Sequence, residues 1–219
     1  MGARIIVINT RAANIHSVAK ALARVGAAAL VTSDPADLAE ADAAVLPGVG
    51  ASDAALRALD AAGLRAPVKR FAASGRPLLC VCLGMQLLFE RSEEGDLPGL
   101  GLLPGDVRLL PGDMKDADGN RLKVPHMGWN SVKFTANGRG HPVFSDTPDG
   151  SHFYFVHSYH CVPSEAEDIA GTASYGLEIC AAVVRGEVVG TQFHPEKSGD
   201  AGLQIYRNFV KHAAKVAAR

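Results

Sequence analysis

Along the first ninety positions, apolar residues come in short solid runs, separated by stretches where they recur every three or four places. Residues 4–8, 27–32, 43–46 and 77–81 are runs of the kind that form strands buried on both faces. Between them, Ile15, Val18, Ala19, Leu22 and Val25 lie at helical spacing, with Asn14 at the N-cap position and Gly26 placed to end the helix. Asp34-Pro35 opens a short helix, and residues 52–62, 64–74 and 85–91 read as further helices. Alternating strand and helix predicts a parallel sheet with right-handed crossovers.

The pattern then changes. Residues 93–200 are richer in Gly, Pro and strand formers, and strands are predicted at 131–134, 153–156, 169–174, 179–184 and 188–193. Arg185-Gly186-Glu187 separates the last two as a hairpin turn. Leu203, Tyr206, Phe209, Val210 and Ala213 mark one face of a C-terminal helix. No linker-like stretch or internal repeat divides the chain, so one domain over 1–219 is expected, with a parallel half and a more antiparallel half.

Composition mainly excludes. The 22 Lys and Arg balance 23 Asp and Glu, for a formal net charge of −1, which argues against a nucleic-acid binder. No run approaches the ~20 apolar residues of a membrane helix. No hydrophobic signal with a small-residue cleavage site appears, so a cytoplasmic location with cysteines as thiols is expected. Four cysteines in 219 residues are too sparse for a disulfide scaffold. Neither a dinucleotide-binding glycine fingerprint nor a P-loop is present.

The candidate chemistry lies where strands end. In Leu79-Cys80-Val81-Cys82-Leu83-Gly84-Met85-Gln86 a buried strand turns sharply into a helix. A nucleophile on such a turn stands exposed at the carboxyl end of the sheet, and Cys82 occupies it. A helix N-terminus stabilises a thiolate, and the Leu83 N–H can receive a developing oxyanion. Gly84 lets helix and strand approach. Cys82 also fits an ordinary buried thiol, the reading preferred for Cys161, Cys180 and Cys80, the last expected to point the same way as Cys82. Gln192-Phe193-His194-Pro195-Glu196-Lys197 supplies a base and an orienting acid. Pro195 holds His194 extended, so His194 and Glu196 project together. Leu46-Pro47-Gly48-Val49-Gly50 ends another strand. Its glycines suit either an ordinary loop or a second oxyanion donor from Val49 or Gly50. His152, His157 and His160 lack the partners a closed zinc site wants, so no metal is expected.

Pro-Gly-Val-Gly, Cys-Leu-Gly-Met-Gln and His-Pro-Glu, in that order, resemble the class I (triad) glutamine amidotransferases. Pro125-His-Met-Gly-Trp-Asn130 and Tyr154-Phe-Val-His-Ser-Tyr159 narrow the resemblance to the glutaminase subunits of imidazole glycerol phosphate synthase. It runs from about residue 4 to about 210 and implies an α/β, flavodoxin-like fold. The central sheet would be mostly parallel and flanked by helices, with an added antiparallel region. It also implies hydrolysis of L-glutamine without a cofactor, through a Cys82–His194–Glu196 triad and a glutamyl thioester. The ammonia would pass to a (β/α)₈-barrel cyclase partner that makes imidazole glycerol phosphate and aminoimidazole carboxamide ribotide in histidine biosynthesis.

By the same match, Gln86 and Glu94, helped by backbone at Ser158 and Tyr159, would hold glutamine, and Asn14, Trp129 and Lys197 would face the cyclase. Two departures stand out: Asn9-Thr-Arg-Ala-Ala-Asn14 replaces a glycine-rich loop, and Cys80 replaces a glycine. The alternatives are a glutaminase serving anthranilate or carbamoyl phosphate synthesis, or a non-catalytic module of the same fold. The former would not be expected to carry Pro125–Asn130, and the latter gains nothing where all three triad residues are present.

Overall fold

The computed structural model describes residues 2–10 and 15–219; Asn14 and most of the Asn9–Asn14 departure lie outside them. The first half of the chain contributes β1 (Ile5–Ile8), α1 (Ile15–Arg24), β2 (Ala29–Thr32), α2 (Pro35–Glu40), β3 (Ala43–Gly48), α3 (Ser52–Ala61), α4 (Arg65–Ala73), β4 (Leu78–Cys82) and α5 (Leu83–Gln86). Then come β5 (Arg91–Ser92), β6 (Gly105–Leu109), β7 (His126–Phe134), α6 (Ala136–Gly140), β8 (Ser151–His157), β9 (Tyr159–Pro163), β10 (Ile169–Ser174), β11 (Glu178–Arg185), β12 (Val188–Thr191) and α7 (Gly199–Ala217).

Among the described residues these strands make a nine-stranded sheet ordered β2-β1-β3-β4-β12-β11-β10-β7-β8 and a smaller sheet ordered β5-β6-β9. From β2 to β12 all pairs are parallel, and from β12 to β8 all are antiparallel. The predicted change of texture is therefore a change of pairing within one sheet. The solid apolar runs are explained by burial: every residue of β1, β3 and β4 is buried. Ile5, Val7, Leu79 and Val81 pack with Val18 and Leu22 of α1 and with Ile205, Tyr206 and Phe209 of α7. Ile6, Ile8, Leu78 and Cys80 pack on the opposite face with Leu56, Leu59, Val68 and Phe71 of α3 and α4. A strand covered on both faces has no polar side to alternate with.

The local signals act through identifiable bonds. Gly26, at φ +85°, ends α1: its N–H bonds Ala23 O, and Ala27 N–H reaches back to Leu22 O at 3.0 Å. That reach also delays β2 to Ala29. Asp34 caps α2 by accepting Ala36 N–H at 2.8 Å.

Three predictions needed correction. The helix at 85–91 is only the single turn Leu83–Gln86, because the segment around Leu100 takes over the following carbonyls: Leu100 N–H bonds Leu87 O at 2.7 Å and Leu102 N–H bonds Leu88 O at 2.8 Å. The strand at 131–134 begins at His126, and the small sheet was unforeseen. Cys80 does not point the way Cys82 does. The backbone at Cys82 (φ 53°, ψ −111°) leaves the strand conformation, so its side chain joins the core of the other face.

Candidate active site

The carboxyl ends of three neighbouring parallel strands meet at one place. β3 ends at Gly48, β4 at Cys82, and His194 follows β12. Gly48 pairs directly with Cys82. A Cβ on Gly48 would lie 2.9 Å from Gly84 N, and one on Gly84 would lie 2.0 Å from Leu46 O. Two glycines therefore let the Pro-Gly-Val-Gly segment lie against the first turn of α5, which begins immediately after Cys82.

His194 is fixed through its own backbone. Its N–H bonds Tyr154 O at 2.9 Å, and its carbonyl accepts Ser198 Oγ at 2.6 Å and Lys197 N–H at 3.0 Å. Ser198 Oγ also accepts Tyr154 N–H, tying β8 to the turn after His194. The imidazole Nδ1 lies 2.7 Å from Glu196 Oε1, and both side chains are almost wholly buried, at 1 % and 0 % exposure. Tyr206 O–H reaches the other Glu196 oxygen at 3.4 Å. Burial alone would disfavour the imidazolium, but hydrogen bonding and charge from Cys82 and Glu196 outweigh it and raise the His194 pKa to about 9.

A cavity of about 390 Å³ opens over these groups. Cys82 and His194 line it together with Val49, Gly50, Leu83, Gln86, Glu94, Ser158 and Tyr159. Residues predicted from five separate stretches thus share one wall. Glu196 stands behind His194. Gln86 donates from Nε2 to Tyr159 O at 2.9 Å and to Gln192 Oε1 at 3.1 Å. The Tyr159 and Ser158 carbonyls are both engaged within the protein, the latter by Leu110 N–H at 2.8 Å.

Glu94 has a second task. Ala51 precedes α3 without a capping side chain, and Glu94 Oε2 accepts Ser52 N–H at 2.8 Å in its place. Replacing Glu94 with Ala should cost about 1 kcal/mol of stability, as loss of a helix cap does, and lower Tm by roughly 2–4 °C. Glu94→Gln, which keeps an acceptor, should restore most of it. Equal thermal melts for the wild type and the alanine variant would deny the cap.

Lys197 Nζ lies 5.7 Å from the centre of the Tyr154 ring, and Trp129 meets that ring edge-on at 6.2 Å. Trp129 is 57 % exposed, so the sole tryptophan is a surface residue rather than core. Its β7 neighbour Met127 is 61 % exposed. The three histidines weighed as metal ligands are not drawn together: His152 is exposed, His157 turns inward to His126 at 3.0 Å, and His160 lies among Arg108 and Glu93. Among the described residues, His141, Glu187 and His212 do come close. However, His212 Nε2 bonds Glu187 at 2.6 Å, and the His141 ring accepts Val143 N–H and meets the Gly186 carbonyl.

A larger cavity, about 500 Å³, holds Cys161 and Cys180. Burial keeps both protonated, pushing Cys180 up to about 12 and Cys161 well above its usual value. Burial likewise raises Cys80. Cys82 is the thiol that faces His194. Sequence reasoning passed over Gln192, which is fully buried with Nε2 3.7 Å from Cys82 Sγ, as well as Ser198, His126 and Tyr206. Gln192 and Ser198 bracket the His-Pro-Glu motif and were legible only as its flanks.

The fold and this strand-end Cys–His–Glu arrangement define a class I glutamine amidotransferase, and the family model of that description matches residues 6–213. The chain is 49 % identical over 206 residues to the imidazole glycerol phosphate synthase subunit HisH of Syntrophotalea carbinolica, covering 94 % of this chain and 98 % of that one. It is 48 % identical to the same subunit of Aromatoleum aromaticum, with 95 % and 98 % covered. The chain belongs to this HisH family. Two solved structures share the fold. One is the glutaminase domain of a Trypanosoma brucei CTPS (TM-score 0.69, 18 % identity, 97 % and 94 % covered). The other is PurLQS from Thermotoga maritima (TM-score 0.67, 16 % identity, 97 % and 99 % covered).

Proposed function

We propose that the chain, as one amidotransferase domain, hydrolyses L-glutamine to glutamate and ammonia and delivers the ammonia to the cyclase of imidazole glycerol phosphate synthase, for histidine biosynthesis. The observation that carries this reading is the meeting of Cys82, on its strained turn, with a His194 held by a buried Glu196 at the wall of one cavity. Cys82 Sγ attacks the amide carbon, and the oxyanion forms beside the Leu83 N–H and the Val49–Gly50 segment. His194, whose proton is held by its partnership with Glu196 and Cys82, gives that proton to the leaving nitrogen as the C–N bond breaks. It then takes a proton from water, which attacks the thioester and releases glutamate. Glu196 fixes the tautomer that turns Nε2 toward the sulfur.

Gln86 and Glu94 would bind the amino-acid head group. The exposed Trp129–Tyr154–Lys197 cluster, beside the His194 turn, would face a (β/α)₈-barrel cyclase in a heterodimer, as would Asn14. Glutamate release measured with and without the cyclase and its nucleotide substrate tests the reading. Release that rises with the loaded cyclase and disappears in Cys82→Ala is expected. Release no greater than that of Cys82→Ala under every condition would overturn it.

A further inference from the structure

A directed chain of hydrogen bonds runs beneath the cavity. β9 is an edge strand of the small sheet, and the Tyr159 carbonyl at its start is met by side chains. It accepts two donors: Gln86 Nε2 at 2.9 Å and His157 Nδ1 at 2.8 Å. A carbonyl cannot donate, so the His157 hydrogen sits on Nδ1. Burial and neighbouring His126 hold His157 neutral, with a pKa lowered to about 3, so its Nε2 is bare and must accept. The partner of that Nε2 is His126 Nδ1 at 3.0 Å, which therefore also carries its hydrogen. His126 Nε2 is left to accept from Asn130 Nδ2 at 3.4 Å, an amide anchored by donating to Ser174 O at 2.9 Å. Every donor from Asn130 to Tyr159 points the same way.

Gln86 closes the chain from the other side. Its two amide hydrogens go to Tyr159 O and Gln192 Oε1, and Gln192 Nε2 lies 3.7 Å from Cys82 Sγ. Gln86 is thus left with only an acceptor, Oε1, to offer the cavity it lines.

We infer that His126 and His157 are positioning residues for the substrate site: through the Tyr159 carbonyl they hold the Gln86 amide so that its oxygen receives an N–H donor of the bound amino acid's head group. The inference rests on the glutaminase reading. Without His157 the Tyr159 peptide loses one of its two donors. The Gln86 amide then loses its fixed acceptor geometry, while Cys82, His194 and Glu196 keep theirs.

Two measurements test it. In the wild-type protein at neutral pH, imidazole ¹⁵N shifts should show both His126 and His157 protonated on Nδ1; a His157 hydrogen on Nε2 would overturn the inference. In the cyclase-activated enzyme, His157→Leu should raise KM for glutamine roughly tenfold, the effect of losing one buried hydrogen bond, with kcat changed less. His157→Asn, whose amide nitrogen can stand where Nδ1 stands, should recover most of it. A wild-type KM in His157→Leu, or an asparagine variant as impaired as the leucine one, would overturn the inference. Should the wild type itself release no glutamate while the tautomers are as stated, the glutaminase reading fails, and the positioning role falls with it.

Discussion

Cys82→Ala and His194→Ala should each reduce cyclase-activated glutamate release by on the order of 10⁴- to 10⁶-fold, and the double variant should be no worse than either alone. Members of a triad act as one unit, so removing the second member removes nothing that the first has not already disabled. Glu196→Gln should be roughly 10- to 100-fold less damaging, because an amide keeps a hydrogen-bonding group behind the imidazole while losing its charge. That charge has a readable consequence. Glu196 and Cys82 together raise the His194 pKa to about 9, so the proton needed by the leaving nitrogen is present through neutral pH and lost above about 9. Removing the carboxylate's negative charge destabilises the imidazolium, so the alkaline limb of kcat should move to lower pH in Glu196→Gln. Steady-state rates across pH 6–10 would show this. An unshifted limb, or a Glu196→Gln enzyme as dead as Cys82→Ala, would remove Glu196 from the role of orienting partner.

Most of the parallel half of the sheet was legible because its physics is local. A strand buried on both faces needs a solid apolar run, and β1, β3 and β4 have one. α1 ends in a glycine that must adopt positive φ, and α2 begins with an aspartate whose side chain caps it. What escaped was governed by partners distant in sequence. Leu87, Leu88 and Phe89 look helical, but their carbonyls are claimed by residues 100–103. A Cβ on Gly99 would stand 2.0 Å from Phe89 O, so the approach that unwinds the helix depends on a glycine ten residues away. β9 escaped for a similar reason. It pairs with β6, more than fifty residues earlier, and a single residue, Ser158, separates it from β8.

The site was legible to the extent that its chemistry is carried by residue type. A cysteine on a strand-to-helix turn and a histidine followed by proline and glutamate announce themselves. Their second contacts do not. Ser198 holds the His194 carbonyl, Gln192 approaches the sulfur, and His126 supports His157, yet each reads in sequence as an ordinary polar residue. Cys80 marks the opposite limit. Its spacing placed it beside Cys82, and one residue with positive φ reversed that, sending the two thiols to opposite faces of the sheet.

Gly84→Ala should damage stability and activity together, although it adds one methyl and touches no triad member. A Cβ at position 84 would lie 2.0 Å from Leu46 O and 3.0 Å from Leu46 C, both backbone atoms of β3. No rotamer change relieves that overlap; β3 or α5 must move. Overpacking a core usually costs about 1–3 kcal/mol. With backbone as the obstacle, the upper end is expected, a fall in Tm of roughly 6–12 °C for a chain of this size. The displacement falls on the join between the Pro-Gly-Val-Gly segment and the Cys82 turn, where Gly48 already has Gly84 N within 2.9 Å of its own Cβ position. Val49, Gly50 and the Leu83 N–H would therefore lose their shared register around the cavity. Any Gly84→Ala protein that still folds should lose kcat by at least about 100-fold, the effect of losing an oxyanion donor. Gly140→Ala is the control: nothing lies within 4 Å of a Cβ there and its φ is negative, so the melt should stay within about 1 kcal/mol of wild type and the rate should not change. A Gly84→Ala enzyme with wild-type melting and turnover would show that the elbow does not need the close approach on which the candidate oxyanion site depends.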